Sequence, residues 1–181
     1  RLLQEMALNH FQKGAMAMSH TEGQLQFVNG QAAMIYCGIY LENEMRDSTP
    51  PGFEMRCFNV PAVESGKGNP RMFKGEGAES LFAFADAPNV EEALEFIRYM
   101  ISPENAPSQG STIGVISPLR GATPRESVSP ALQSVLDITD VAPGMFNVRI
   151  QLLFPELVSQ TIVPCVAALL QGTMTPEDAC K

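Results

Sequence analysis

The 181-residue chain has no tryptophan, two histidines and no Cys-x-x-C pair. With His10 and His20 alone there is no H-E-x-x-H helix and little material for a histidine-based metal cage. Cys37, Cys57, Cys165 and Cys180 fall at no zinc or redox spacing. Cys37 and Cys165 lie in apolar runs, so free buried thiols are one reading; disulfides in an oxidising compartment are the other, and sequence chooses no pairing. Basic residues are also scarce. Twelve Lys and Arg face 20 Asp and Glu, a net charge of -8, and no basic cluster is present. That balance argues against nucleic acid, which is held by cations that neutralise its phosphates. There is no apolar run of the ~20 residues a membrane span requires, and no signal peptide pattern at Arg1.

Catalytic motifs are missing as well. No G-x-S-x-G elbow or Walker sequence occurs, and Ser65, Ser108 and Ser117 sit in turn contexts that explain them. Gly75-Glu76-Gly77 begins a G-x-G pattern, but Ser80 stands at the third glycine position. A strand is also predicted where a dinucleotide site needs a helix. Glu42/Glu44 and Glu91/Glu92 supply carboxylate pairs of the kind glycosidases use. Glu91 and Glu92, however, fall in the first turn of a predicted helix, where negative charge complements the helix dipole. Nothing combines a nucleophile, an orienting base and an oxyanion donor, so the chain reads as non-enzymatic, with no cofactor or metal implied.

What is present is a globular composition: 45% of residues are hydrophobic, enough to bury roughly 70% of the unfolded surface. Leu2, Leu3 and Met6 read as part of an amphipathic helix. Ser19 or Thr21 caps a second helix with Leu25 and Val28 on its buried face, ending at Gly30; a buried strand is predicted over residues 32–36. Further strands are predicted over 54–60, closing at Pro61, and over 81–85, where apolar density calls for cover on both faces. Asn89 is expected to cap a helix in a box with Glu92, its stripe being Val90, Ala93, Leu94, Ile97, Met100 and Ile101. A helix is predicted around 132–136. A long one starts with Pro155 at its first position, buries Leu157, Val158, Thr161, Ile162, Cys165 and Leu169, and is kinked or divided by Pro164 before Gly172. Thr175-Pro176-Glu177-Asp178 opens a last helix too short to stand alone, so the chain reads as a fragment of a longer protein.

The string Phe27-Val28-Asn29-Gly30-Gln31-Ala32-Ala33-Met34-Ile35-Tyr36-Cys37-Gly38-Ile39-Tyr40 resembles the F-x-x-G-x-A-A-M-x-x-x-G-x-W signature of family 1 extracellular solute-binding proteins. These are the carbohydrate receptors of ATP-binding-cassette (ABC) importers, including the maltose-binding type. Glu91-Glu92-Ala93-Leu94-Glu95-Phe96, Ser102-Pro103-Glu104, Gly114-Val115-Ile116-Ser117-Pro118 and Gly172-Thr173-Met174-Thr175-Pro176-Glu177-Asp178-Ala179 are similar to later family elements, in order. The likeness runs roughly from Gly14 to Ala179. It implies an α/β fold of the periplasmic-binding-protein type II class, two lobes around a cleft, with this chain as the C-terminal half. Residues 1–78 and 126–181 would belong to the C-terminal lobe, and 79–125 would return to the N-terminal lobe.

The same likeness implies a carbohydrate or other small polar solute as ligand and ABC permease subunits as partners. It further implies a monomer, periplasmic or extracellular and membrane-anchored. The alternative is a non-transport sugar-sensing or adhesive surface module of the same fold. Candidate ligand-binding residues carry over singly. Tyr40 stands where the family usually has Trp, so it either stacks on a sugar ring or packs in the core. Gly75, Glu76 and Gly77 match a segment near the lobe crossing, where backbone approaches ligand; Glu76 either accepts sugar hydroxyls or is a solvated loop carboxylate. Phe154 matches a late aromatic that lines the cleft or packs behind it.

Overall fold

The computed structural model describes residues 1–75, 81–147 and 149–181. Its helices are α1 Leu2–Asn9, α2 His20–Val28, α3 Leu41–Glu44, α4 Val90–Met100, α5 Ala106–Ser108, α6 Pro130–Val141, α7 Ile150–Leu153, α8 Pro155–Leu157, α9 Val163–Leu170 and α10 Pro176–Ala179. Two-residue strands, β1 Phe73–Lys74 and β2 Met145–Phe146, pair in parallel with Phe73 opposite Met145. The chain divides into two compact units, Arg1–Ile35 with Val148–Lys181, and Tyr36–Asn147.

Helix starts separate by backbone angle. Ser19 is extended (φ -69°, ψ 167°); its Oγ accepts the Glu22 N–H at 3.3 Å, while Glu22 Oε2 accepts the Ser19 N–H at 2.7 Å. This reciprocal pair closes two otherwise unpaired donors of α2. Ser129 (ψ 162°) accepts from Leu132 N–H and Thr175 (ψ 153°) from Asp178 N–H in the same way. Asn89 stands before α4 but has ψ 38°, and its side chain makes no cap bond. The expected box with Glu92 therefore does not form, because a capping side chain reaches the helix N–H groups from extended backbone.

In the first unit α2 buries Gln24 and Val28, one turn apart, with Leu25 only half-buried. Gln4 of α1 donates from Nε2 to the carbonyls of Leu169 (3.1 Å) and Met174 (2.9 Å), tying α1 to the last turn of α9 and to the loop that follows it. Gly172 has φ +74°, and a Cβ there would stand 3.3 Å from Leu8 Cδ2. Pro155 takes the first position of α8 as predicted, and Pro164 lies at the start of α9, just after a wide π-type turn over Val158–Ile162. That turn absorbs the proline that a regular helix would reject. It also shifts the register: Val158, Ile162, Cys165 and Leu169 line the covered side, whereas Leu157 and Thr161 are exposed.

In the second unit the core gathers on α6, where Ala131, Leu132 and Val135 are buried together with Leu41, Met45, Ala106, Val128 and Ala142. Burial of Leu132 or Val135 contributes about 1.5–3 kcal/mol each. Arg125 clamps the solvent side of α6 through Asp137 and Asp140, each at 2.6 Å. The predicted stripe of α4 is half-buried at Val90, Ala93, Leu94, Ile97 and Met100, while Ile101 is exposed. The Met100 carbonyl accepts from both Asn105 and Gln109, which ends the helix.

The three predicted strands at 32–36, 54–60 and 81–85 are not formed. A strand needs a partner to take its N–H and C=O groups, and among the described residues only β1 and β2 pair. Over 53–60 burial still alternates: Phe53, Met55, Cys57 and Asn59 are half-buried and their neighbours exposed. The Cys57 N–H goes to Ser134 Oγ at 2.7 Å instead of to a ladder, and Asn59 Nδ2 donates to the carbonyls of Pro70 and Met72. Leu81, Phe82 and Phe84, expected to be covered on both faces, are exposed, as are Met34 and Tyr36. The described fold is thus mainly helical, with little of the sheet expected for an α/β protein.

Candidate functional site

Tyr40 immediately precedes α3 and is 45% exposed, so it is not a core aromatic. Its ring folds back over Gly38. The phenol is hydrogen-bonded to Cys37, and its pKa is raised above 10.0, first by the charge of the nearby Cys37 thiolate, then by desolvation, with Glu44 adding a smaller push.

Four residues earlier, Tyr36 is 75% exposed, and the Lys74 Nζ stands 5.7 Å from its ring centroid. That distance lies within cation–π range. Lys74 is in β1 directly before Gly75, so this contact joins the β1 strand to the exposed Tyr36 ring. Tyr36 and Lys74 were not among the residues singled out from sequence. The apolar run over 32–36 places Tyr36 in a buried strand; the sequence signal that points the other way is its place in the same aromatic-bearing string as Tyr40.

Gly75 donates its N–H to the Phe146 carbonyl at 3.1 Å, and a Cβ at Gly75 would lie 2.9 Å from Met145 Cε. Its lack of a side chain therefore serves close packing against β2, and its N–H is already engaged. Glu76 and Gly77 lie outside the described residues. Phe154 belongs to the other compact unit, where it joins α7 to α8 with φ -138° and ψ 61° and a 56% exposed ring.

Two open grooves lie elsewhere. One, of about 390 Å³, is lined by Glu95, Arg98, Tyr99, Ser102, Pro103 and Glu104; the other, of about 450 Å³, runs between Leu8, Phe11, Met16 and Leu170. Neither includes Tyr40, Gly75 or Phe154. Of the carboxylate pairs, Glu91 and Glu92 are exposed in the first turn of α4, and Glu42 accepts from the Ser129 hydroxyl. No cluster of three or more His, Cys, Asp or Glu able to hold a metal occurs among the described residues. Cys37, Cys57 and Cys165 are half-buried and Cys180 is exposed, so none is the fully buried thiol that the apolar runs around Cys37 and Cys165 suggest, and no disulfide joins them in this structure.

The sequence profile of the bacterial extracellular solute-binding protein family matches residues 2–107. The chain belongs to that family. The match takes in Tyr36, Tyr40 and Lys74 together with α1 to α4, and stops short of the Gly114–Pro118 and Gly172–Ala179 stretches. Comparisons with curated proteins and with solved structures gave no match. Membership establishes a solute-binding role outside the cytoplasm in general terms and a periplasmic-binding-like fold, in a family whose members are generally not enzymes. Among the described residues no helix is long and apolar enough to cross a membrane.

Proposed function

We propose that the solute is a carbohydrate, held in a cleft between two lobes and delivered to an ABC-type permease at the membrane. The observation that carries this reading is the pair of exposed rings Tyr36 and Tyr40, with the Lys74 ammonium over Tyr36, inside the family match. Exposed aromatic rings suit the apolar C–H face of a pyranose, while an ammonium and neighbouring polar groups suit its hydroxyls. In this reading the chain is the C-terminal half of a type II binding protein, monomeric, non-enzymatic and tethered outside the cytoplasmic membrane. Residues 1–78 and 126–181 form one lobe and 79–125 part of the other. Tyr40, Gly75, Glu76, Gly77 and Phe154 face the ligand, and transport rests on lobe closure, because a ligand that binds the closed form better shifts the population toward it.

A thermal-shift panel of mono- and oligosaccharides, with amino acids and polyamines alongside, tests the assignment. A sugar at a hundred times its Kd stabilises the native state by about 2.7 kcal/mol and raises the melting midpoint accordingly. If amino acids or polyamines raise it and no sugar does, the carbohydrate reading is wrong.

A further inference from the structure

We infer that Cys165 and Cys180 are a disulfide-forming pair that staples α10 onto α9. The Cys165 Sγ lies 3.7 Å from the carbonyl oxygen of Ala179 and 3.6 Å from Met174 Sδ. Peptide geometry puts the Cα of the next residue about 2.8 Å from that oxygen, so the Cys165 sulfur is within about 6.5 Å of the Cys180 Cα. Rotation about the Cα–Cβ bond of Cys180 turns its sulfur toward Cys165, and a small shift of the four-residue helix α10 closes the remaining distance to an S–S bond. Both residues lie in one compact unit, and the α9–α10 connection is already ordered by Gly172 and by the Thr175 cap.

The remaining cysteines are placed differently. Cys57 is desolvated, which pushes its thiol pKa up and disfavours the thiolate, and Cys37 is engaged with Tyr40. A family of extracellular proteins also works where disulfides persist. The oxidant is a small-molecule or protein disulfide. The exposed Cys180 thiolate attacks it, forming a mixed disulfide and expelling one thiolate; the Cys165 thiolate then attacks the Cys180 sulfur, forming the intramolecular bond and expelling the second. The two thiol protons pass to the two thiolates released, so two protein thiols are oxidised and one disulfide is reduced.

The test is to incubate the reduced full chain with oxidised glutathione, count thiols after denaturation, and map linked peptides by mass spectrometry. The expected result is loss of two of the four thiols, one peptide joining Cys165 to Cys180, and a Cys165→Ser variant that stops at a glutathione adduct on Cys180. A linkage that includes Cys37 or Cys57 overturns the inference. So does a wild-type chain that keeps glutathione on Cys180 while Cys165 stays titratable.

Discussion

The ring of Tyr40 occupies the space that a side chain on Gly38 would need: a Cβ at Gly38 would stand 2.2 Å from Tyr40 Cε1. The glycine thus lets the aromatic fold back on its own backbone beside Cys37. Gly38→Ala is expected to expel the ring, which is the mobile partner, while leaving the helical core intact. Circular dichroism should be unchanged. The ultraviolet titration of the Tyr40 phenol should move down toward 10.0, its ordinary value.

Cys37→Ser separates charge from shape at the same place. The largest cause of the raised Tyr40 pKa is the Cys37 thiolate, so removing it lowers the phenol's midpoint even with the ring in position. An unchanged midpoint would assign the shift to desolvation instead.

Tyr36→Ala and Lys74→Met, at exposed and partly exposed positions, should leave the unfolding free energy from urea denaturation within about 0.5 kcal/mol of wild type. Each should weaken binding of whichever sugar the thermal-shift panel identifies, by roughly tenfold for the loss of a stacking or charged contact, measured by titration calorimetry. Tyr40→Ala should do the same without unfolding; equal loss of folding and binding would make Tyr40 structural.

Caps give a clean internal comparison. Ser129→Ala removes a bonded cap and the hydroxyl that Glu42 accepts from, and should cost about 1–2 kcal/mol in urea unfolding. Asn89→Ala removes a side chain that caps nothing, so its cost should stay within about 0.5 kcal/mol.

Acid sensitivity follows from Glu22. Its carboxyl is held below its ordinary 4.5, first by the Ser19 N–H and then by the Ser19 hydroxyl. A lowered folded value means that the contribution is fully present above the ordinary value of 4.5 and is lost as pH falls from there through the folded value. Glu22→Gln should therefore flatten the stability-against-pH curve below about pH 4.5, as read by thermal melts across an acid series.

The features readable from sequence were local ones. The caps at Ser19 and Thr175, the stripe from Val90 to Met100, Pro155 at a helix start, the disturbance at Pro164, the left-handed Gly30, and Gly172 just past a helix end all appear where spacing places them. Each depends on groups within about one helical turn, so residue order suffices to specify it. The family was legible for a related reason, since its signature lies within one short stretch, residues 27–40.

Tertiary structure decided the rest. Apolar density at 81–85 and alternation at 54–60 describe residues able to form strands, but a ladder needs a second strand that sequence pattern cannot supply. Whether Tyr36 is buried, whether Lys74 reaches its ring and whether the Cys165 thiol reaches the Ala179 carbonyl depend on segments distant in the chain or folded back on it. Asn89 marks the boundary between the two: its residue type and position satisfy the capping rule, yet its backbone has ψ 38° in place of the extended value, and its side chain makes no cap bond.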